Sequence, residues 1–353
     1  MRAVILVGGE GTRLRPLTYT VPKQMLPVAE VPMIERVVGH LVSHGVTDVI
    51  LSLGYRPDTF IAGYPDSRCA GATLTYVVEP ELMDTAGAVR FAATKAGIAS
   101  TFLVFNGDVL TDLPITSLVE FHRESGAEGT IALTPVEDPS AFGVVPTTRE
   151  GLVEAFIEKP PPGTAPTNLI NAGTYVLEPS VLDRIPDGRR VNIERETFPA
   201  MVADGRLFAR AYDGYWLDVG TPERYLAATA DLLNGRRPGP PVAGARQRAT
   251  GFWEIGNPVV EGEVKGASLV ADGAHVGSAA CVENSVVGRG ADVAAGARVT
   301  GSVLLAGARV GAGAVIEASI VGPDATIGAG AVLRAGSVVG AGEEIPEGDR
   351  LPR

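Results

Sequence analysis

A 17-residue repeat in the C-terminal third is the feature that most restricts how this chain can fold. Four serines, each followed by two aliphatic residues, recur at this spacing: Ser268, Ser285, Ser302 and Ser319. Two aliphatic series keep the same step: Val276, Val293, Val310 and Ile327, and Val282, Val299, Ile316 and Leu333. Within one period the aliphatic residues fall about six positions apart with Gly and Ala between them, which is typical of triangular coils of three short strands. The repeat predicts a parallel β-helix of about five coils over residues 252–353.

The first two thirds of the chain show another pattern, in which short apolar runs alternate with longer amphipathic stretches. This alternation predicts an α/β domain with a mixed, mostly parallel sheet over residues 1–234. The predicted strands are 3–7, 49–53, 74–78, 102–105, 130–133, 152–157 and 173–177, and the predicted helices are 33–44, 85–96, 115–125 and 222–233. Residues 235–251 are dense in Gly, Pro and Arg, which predicts an exposed linker.

Composition limits the class of protein. The 353 residues, 45% hydrophobic and 20% charged, are typical of a globular protein with two domains. A net charge of −11 argues against a nucleic acid or an anionic membrane as partner. Met1 leads directly into the first apolar run, and no run approaches the roughly eighteen residues of a membrane span, so we expect a cytoplasmic protein. Cys69 and Cys281 fall in separate predicted domains, which argues against a disulfide framework.

A glycine-rich turn follows the first predicted strand, which is a short apolar run typical of a buried parallel strand. Glycines at positions 8, 9 and 11 can adopt positive φ and let backbone N–H groups converge on an anion. Arg13, Arg15 and Lys23 can then supply positive charge to phosphate oxygens. The turn therefore predicts a phosphate-binding site.

Two commoner glycine motifs do not fit this turn. A dinucleotide-binding fingerprint that starts at Gly9 needs its third glycine at position 14, which is Leu14. A Walker-type loop needs Gly-Lys-Ser/Thr, whereas this chain has Gly11, Thr12 and Arg13. For both motifs, this chain lacks the residues on which the mechanism depends.

Two aspartates are candidate metal ligands. Asp108 follows the predicted strand 102–105, and ligands bind at the carboxyl ends of parallel strands. Mg²⁺ is usually held by one or two carboxylates together with substrate phosphates, and Asp218 is the candidate for the second carboxylate. Asp218 has an alternative role as a helix cap, because Thr221 and Pro222 look like a helix start.

A second polar cluster falls between residues 143 and 196. Glu158 and Lys159 close the predicted strand 152–157, and Asn171 opens the next. An acceptor, a cation and an amide near one cleft would suit the hydroxyls and phosphate of a sugar phosphate, although the same residues could lie on an ordinary surface. The segment 194–196, which precedes Phe198 and Pro199, resembles a segment of a known family but is equally compatible with a solvated helix turn.

Taken in order, these short motifs resemble the sugar-1-phosphate nucleotidyltransferases. The motifs that carry the resemblance are 8–14, Pro22 with Lys23, 106–108, 142–144, 156–160, 171–173 and 216–222. The resemblance implies a Rossmann-like catalytic domain followed by a left-handed β-helix. It also implies a reaction in which a sugar 1-phosphate attacks the α-phosphorus of a nucleoside triphosphate and releases pyrophosphate.

The resemblance also implies roles for single residues. Asp108 and Asp218 would hold Mg²⁺, Arg13 would bind the triphosphate, and Lys23 would neutralise charge around the α-phosphorus. Lys159 would bind the sugar phosphate, and its hydroxyls would be read by Glu158, Asn171 and Gly143. The implied nucleotide contacts are Leu6, Gly8, Gly9, Gly11, Thr12, Arg13, Glu79, Asp84, Thr85 and Asp108.

Glu79 and the turn after it favour guanine as the base. Related thymidylyltransferases have glutamine at the position of Glu79, whereas a carboxylate only accepts hydrogen bonds and guanine offers the donors N1–H and N2–H₂. The turn at Thr85 resembles the Gly-Thr-Ala-Gly of mannose-1-phosphate guanylyltransferases, with Asp84 in place of the first glycine. Asp84 would then lie near the base or ribose, or cap the following helix. The alternatives are guanylyl transfer to another sugar or pseudo-sugar 1-phosphate, and thymidylyl transfer to glucose 1-phosphate.

The predicted β-helix could have a function of its own. Hexapeptide β-helices resemble acyltransferases, which use a histidine as general base, and this repeat contains only His275. A structural role in a homo-oligomer is therefore favoured over acyl transfer.

Overall fold

The structure is a computed structural model that describes residues 1–237, 241–248 and 251–352. Two compact units make up the chain. Met1–Gly9 and Ile34–Trp216 form the first unit, whereas Glu10–Met33 and the chain from Leu217 onward form the second. Among the described residues, no helix combines the length and the apolar character needed to cross a bilayer.

Helices of the described residues are mostly short. The α-helices are Met33–Ser43, Pro57–Gly63, Asp84–Lys95, Ile115–Ser125, Phe198–Ala203 and Pro222–Leu233. The 3₁₀-helices are Thr12–Leu14, Leu17–Tyr19, Lys23–Met25 and Pro179–Arg184, and Ile193–Thr197 is a π-helix.

One mixed sheet of ten strands organises the first unit. Its order is Ile157–Glu158, Gly143–Val144, Leu169–Leu177, Phe102–Asn106, Arg2–Leu6, Asp48–Leu53, Ala72–Val78 and Arg68–Cys69, with Gly129–Pro135 beside Leu169–Leu177 and Leu207–Ala211 beside Gly129–Pro135. The further strands Val109–Thr111 and Trp216–Asp218 lie outside this sheet.

The centre of this sheet is parallel. Arg2–Leu6 pairs in parallel with both Asp48–Leu53 and Phe102–Asn106, so these strands end at the same edge of the sheet. Val4 and Ile50 are fully buried in one core cluster with Val89 of a covering helix. Strands covered in this way read as continuous apolar runs, which is why the sequence predicted them.

The prediction of an α/β domain is confirmed, with differences at single elements. Helices Ile115–Ser125 and Pro222–Leu233 have the predicted bounds. The predicted strand 152–157 is wrong: Leu152 and Val153 form only isolated bridges, and a two-residue strand begins at Ile157. Val153 and Phe156 of this stretch pack into the hydrophobic core without continuous strand pairing, which periodicity alone does not distinguish from a strand.

The second unit contains a left-handed parallel β-helix, which confirms the predicted class. Its three sheets run along the helix axis. The first contains Trp253–Glu254, Leu269–Val270, Val286–Val287, Val303–Leu304, Ile320–Val321 and Val338–Val339. The second contains Val259–Val260, His275–Val276, Asp292–Val293, Arg309–Val310, Thr326–Ile327 and Glu344–Ile345. The third contains Glu263–Lys265, Cys281–Glu283, Arg298–Thr300, Val315–Glu317, Val332–Leu333 and Arg350–Leu351.

Six coils are present among the described residues, compared with the predicted five or so. The end coils depart from the 17-residue period. Trp253 pairs with Leu269, sixteen residues on, and Ile320 pairs with Val338, eighteen residues on. A search for a fixed period therefore detects only the central coils.

The predicted linker is described in part, since residues 238–240 and 249–250 lie outside the described residues. Arg246–Gln247 pairs in antiparallel fashion with Trp253–Glu254 at the start of the first β-helix sheet. The boundaries 235–251 stay a prediction.

Candidate active site

Leu6 ends the first strand of the first unit, and Gly8 and Gly9 follow it in the glycine turn. A Cβ at Gly8 would lie only 3.2 Å from Oε1 of Glu79, so a residue without a side chain lets the turn pass this close. Neither Gly8 nor Gly9 has a positive φ, and the expectation of that conformation is wrong for these two glycines. The structure instead brings two predicted nucleotide contacts, Gly8 and Glu79, side by side.

Gly11 begins the predicted phosphate-binding segment of the second unit, and it does have a positive φ, of 63°. Thr18 Oγ1 donates a hydrogen bond to Gly11 O at 2.9 Å. A Cβ at Gly11 would lie 3.1 Å from Cβ of Lys23. The turn therefore closes against the base of the Lys23 side chain.

Thr12 and Arg13 lie in the short 3₁₀-helix that follows Gly11. A Cβ at Gly220 would lie 2.6 Å from Nη2 of Arg13 and 2.9 Å from Oδ1 of Asp218. The predicted triphosphate ligand and one predicted metal ligand thus flank the same glycine, although they are about two hundred residues apart in the chain.

Arg15 differs from the other two predicted phosphate-binding cations. Its guanidinium forms an exposed ion pair with Glu10 at 2.8 Å and lies 5.2 Å from the ring centroid of Tyr19. Its positive charge is therefore already balanced within its own segment.

The alternative role of Asp218 as a helix cap is not the one observed. Thr221 caps helix Pro222–Leu233, because its side chain accepts the N–H of Arg224 at 3.3 Å. Asp218 lies outside that cap, and its Oδ2 accepts a hydrogen bond from Nη1 of Arg224 at 3.3 Å. Its side chain is 21% exposed although Oδ1 itself is buried, so this carboxylate is partly accessible.

Asp108 follows strand Phe102–Asn106 in the first unit and is half-buried. The residue between them must be small, since a Cβ at Gly107 would lie 2.6 Å from Cγ1 of Val7. Gly107 N–H donates to the backbone oxygen of Leu6 at 3.0 Å. Asp108 therefore stands at the edge where the parallel strands end, as predicted from the sequence.

The two aspartates fit a hard divalent cation by their chemistry. Both offer partly accessible carboxylate oxygens, the ligand type that Mg²⁺ takes, with its remaining positions filled by phosphates and water. No group of three or more His, Cys, Asp or Glu side chains that could hold a metal occurs in the described part of the chain. Asp108 belongs to the first unit and Asp218 to the second.

Glu79 is 8% exposed and its carboxylate is fixed from two sides. Ser52 Oγ donates to its Oε1 at 3.1 Å, and the N–H of Met83 donates to its Oε2 at 3.1 Å. Each carboxylate oxygen can still accept a further hydrogen bond. The geometry provides a preoriented acceptor beside the glycine turn.

Asp84 opens helix Asp84–Lys95 with a φ of 60°. Glycine adopts this conformation freely, which explains a glycine at this position in the motif that the turn resembles. The Asp84 carboxylate accepts the N–H of Thr85 at 2.7 Å and Nδ2 of Asn192 at 3.0 Å. It thus satisfies a helix donor, although it lies within the first turn rather than before it.

Gly143, Glu158 and Lys159 meet at one edge of the sheet. Gly143 pairs with Glu158, and a Cβ at Gly143 would lie 3.3 Å from Glu158 Oε2 and 2.7 Å from the Phe156 ring. Lys159 Nζ lies 3.3 Å from Glu158 Oε1, and the Lys159 side chain is 61% exposed. An accessible cation and a carboxylate therefore stand together, as the resemblance implies for a sugar phosphate.

Asn171 is largely occupied by its neighbours. Its Nδ2 donates to Tyr175 Oη and to Glu194 Oε1, both at 2.9 Å, and its Oδ1 accepts the N–H of Gly173. The amide therefore orients Glu194 toward the polar cluster of Glu158 and Lys159.

Glu194 is a functional candidate that the sequence left undecided and that was not among the predicted site residues. Burial, reinforced by the negative charge of Glu158, raises its pKa from 4.5 to about 7. Perturbed carboxyl groups beside a cleft are common at functional sites. The alternative of a solvated turn is thus wrong for Glu194, although Arg195 and Glu196 are exposed.

The π-helix Ile193–Thr197 links the predicted nucleotide contacts Asp84 and Thr85 to the polar cluster predicted to bind the sugar phosphate. Asn192 caps it by accepting the N–H groups of Glu194 and Arg195, and the N–H of Ile193 donates to Thr85 Oγ1 at 2.8 Å. Because Asn192 also bonds Asp84, the Glu194 segment is tied to the turn that carries Thr85. π-Helical turns occur frequently at functional sites.

His275 of the β-helix has a partner one coil away. Its Nδ1 lies 2.6 Å from Oδ1 of Asp292, and both side chains are partly exposed. The two residues are aligned by the parallel pairing of their strands. This pairing accounts for the histidine as part of the β-helix surface.

The chain matches known families over both regions. Residues 2–235 match the nucleotidyl transferase family, and residues 264–348 match the GMPPB C-terminal domain. The chain is 43% identical to the mannose-1-phosphate guanylyltransferase of Mycobacterium tuberculosis over 287 residues, which cover 80% of this chain and 79% of that protein. It is 44% identical to the mannose-1-phosphate guanyltransferase of Schizosaccharomyces pombe over 241 residues, 67% of this chain and 66% of that one.

A solved structure shares the fold. HddC from Yersinia pseudotuberculosis, complexed with GMP-PN, aligns with a TM-score of 0.57 at 29% identity over 65% of this chain and 97% of that chain.

Proposed function

This chain belongs to the nucleotidyl transferase family, and we propose that it transfers the guanylyl group of GTP to mannose 1-phosphate, giving GDP-mannose and pyrophosphate. Support for the substrates comes from relatives of 43–44% identity that are named for this activity. The observation that carries the choice of base is the buried Glu79 carboxylate, which Ser52 and the Met83 N–H hold in place. It is an acceptor of the kind that pairs with N1–H and N2–H₂ of guanine.

The proposed reaction needs no general base. An ionised phosphate oxygen of mannose 1-phosphate attacks the α-phosphorus of GTP, and the bond to the bridging oxygen breaks as pyrophosphate leaves. The work of the protein is alignment and charge neutralisation. We assign Arg13 to the triphosphate and Lys23 to the charge that develops around the α-phosphorus.

The family generally uses a divalent metal, and we propose that Asp108 and Asp218 bind Mg²⁺. Their carboxylates fit this cation for the reasons given above. When bound, Mg²⁺ would withdraw negative charge from the triphosphate oxygens. Asp218 is oriented for this role by Arg224, which contacts its Oδ2.

For the sugar phosphate we propose Lys159 as the phosphate ligand and Glu158, Asn171 and Gly143 as contacts to the hydroxyls. Lys159 is the exposed cation of this cluster. Gly143 leaves room for a ligand to approach Glu158, because a side chain there would press on the Phe156 ring and on Glu158 Oε2.

Two further expectations from the sequence remain part of the proposal: a cytoplasmic location and a homo-oligomer assembled through the β-helix. The repeat motivates the second, because stacked coils present long, regular faces. Light scattering on purified protein measures the oligomeric state directly.

A panel of substrates tests the proposed function. GTP, dTTP, ATP, UTP and CTP are each combined with mannose 1-phosphate or glucose 1-phosphate in the presence of Mg²⁺, and pyrophosphate release is measured. We expect GTP with mannose 1-phosphate to give the highest kcat/KM. A preference for dTTP would overturn the assignment of Glu79. Higher activity of GTP with a sugar phosphate other than mannose 1-phosphate would leave guanine as the base and change the proposed sugar.

A further inference from the structure

The turn at Ala29 and Glu30 has an unusual backbone. Pro27–Val28 pairs with Val31–Pro32, which leaves a two-residue turn in which φ is 47° at Ala29 and 67° at Glu30. Turns of this geometry favour Asn and Gly at these positions, since other side chains crowd the backbone there. A strained turn without glycine persists only where contacts with its surroundings hold it. The contacts of the Glu30 side chain are therefore expected to stabilise this turn.

The Glu30 carboxylate contacts a corner of the β-helix within the second unit. Its Oε2 accepts the N–H of Arg289 at 3.2 Å, and a Cβ at Gly288 would lie 3.0 Å from its Oε1. Burial raises the pKa of Glu30, while the N–H and the charge of Arg289 oppose that rise. The corner is therefore shaped to admit this carboxylate.

The segment that precedes this turn follows the same corner of the β-helix. A Cβ at Gly340 would lie 3.3 Å from Pro16. Gly288 and Gly340 both follow strands of the first β-helix sheet, three coils apart, which is about 14 Å along the axis at the usual strand spacing. The contacts of Pro16 and Glu30 thus bracket Lys23 in sequence.

A third contact holds the segment from the side of the last helix of the unit. Tyr225, which is fully buried on helix Pro222–Leu233, donates a hydrogen bond from its hydroxyl to the backbone oxygen of Pro27. The chain after Lys23 is therefore held at Pro27 by this helix and at Glu30 by the β-helix.

We propose that Glu30 is a positioning residue through which the β-helix fixes the segment that carries Lys23. The inference rests on the catalytic role proposed for Lys23. It gives the β-helix a part in the reaction that differs from assembly and from acyl transfer. Small displacements of a preorganised charge lower the rate strongly, so the effect should appear in kcat rather than in KM.

Glycine substitutions at the two positions of this turn test the proposal. Glu30→Gly and Ala29→Gly both place glycine at a positive φ, but only the first removes the carboxylate. We expect Glu30→Gly to lower kcat about tenfold with KM values within about threefold of wild type, and Ala29→Gly to keep kcat within about twofold. Equal kcat values in the two variants would overturn the proposal.

Two further variants separate positioning from folding. Glu30→Gln keeps an acceptor for the Arg289 N–H and should recover most of kcat. Glu30→Asn tolerates the backbone but is one methylene shorter, and it should behave like Glu30→Gly. Full activity of Glu30→Asn at an unchanged melting temperature would contradict the positioning role.

A double variant distinguishes this proposal from the proposed function. If Glu30 acts through Lys23, then Glu30→Gly should cause no further loss of kcat in a Lys23→Ala background. A further loss there overturns the positioning role alone. Unchanged turnover in the single variant Lys23→Ala would overturn the role of Lys23 and this inference together.

Discussion

The β-helix and the first unit differ in how far apart in sequence their stabilising contacts lie. In the β-helix, the N–H of Ser302 donates to Oγ of Ser285, seventeen residues earlier. In the first unit, Asn192 bonds Asp84, which is 108 residues away. Contacts of the first kind repeat and are visible as a period, whereas each contact of the second kind is unique.

The β-helix fold is therefore determined by local, repeated contacts, whereas the candidate site of the first unit is determined by contacts between distant segments. The strands of a β-helix coil pair with the equivalent strands of the neighbouring coils, so most of its stability is close to a sum of similar local terms. The polar cluster of Glu158, Asn171 and Glu194 depends on three segments that only the folded sheet brings together. We therefore expect substitutions at equivalent positions of the β-helix to have uniform effects, and substitutions in the polar cluster of the first unit to have strongly position-dependent ones.

The largest effect should come from Lys23, which lies in the same compact unit as the β-helix. We expect Lys23→Ala to lower kcat by about a hundredfold or more, because it removes a preorganised charge from the transition state. Pyrophosphate release measures the rate, and a thermal melt checks that the variant is folded.

The matched control for this variant is Lys95→Ala, which removes an exposed lysine at the end of helix Asp84–Lys95. It should keep turnover within about twofold, as expected of an exposed charge. Similar rates in the two variants would overturn the role assigned to Lys23.

An intermediate effect is expected in the serine ladder. The Oγ of Ser302 accepts the N–H of Ser319, and both residues are fully buried. Ser302→Ala leaves that N–H without its acceptor, which should lower the free energy of unfolding by about 1–3 kcal/mol. Ser285→Ala removes the equivalent acceptor one coil earlier and should cost the same within about 0.5 kcal/mol.

Urea denaturation measures both values, and Ser278→Ala, at an exposed serine of the same β-helix, is the control. Unequal losses at Ser285 and Ser302 would show that the coils are not energetically equivalent.

The difference between local, repeated contacts and unique, distant ones explains which parts of the fold and of the candidate site could be predicted from the sequence. The period predicted the β-helix because Val276 and its equivalents repeat a local environment, yet the sixteen- and eighteen-residue steps at the ends escaped it. In the site, the glycine turn and Asp108 were placed correctly because they follow a strand. Sequence patterns did not give the positive φ of Asp84 or the burial of Glu194, because both depend on contacts with distant segments.

The effect that is confined to a range of pH is a pH dependence of stability that arises from Glu194. Its pKa is raised from 4.5 to about 7 in the folded protein, so the folded state binds this proton more tightly than the unfolded chain does. The resulting stabilisation is fully present below pH 4.5 and is lost as the pH rises toward 7. Glu194→Gln, which cannot titrate, should flatten the decline of the melting temperature between pH 5 and about 7.5.

Glu196, two residues further on, provides a control of opposite sign. Its ion pair with Arg189 lowers its pKa, so its contribution to stability is present above pH 4.5 and is lost only at more acidic pH. Glu196→Gln should therefore leave the decline between pH 5 and about 7.5 intact. If Glu194→Gln and Glu196→Gln gave the same pH profile, the carboxyl of Glu194 would titrate like an exposed group. Glu194, which is held by distant segments, would then titrate no differently from Glu196 in the surface turn.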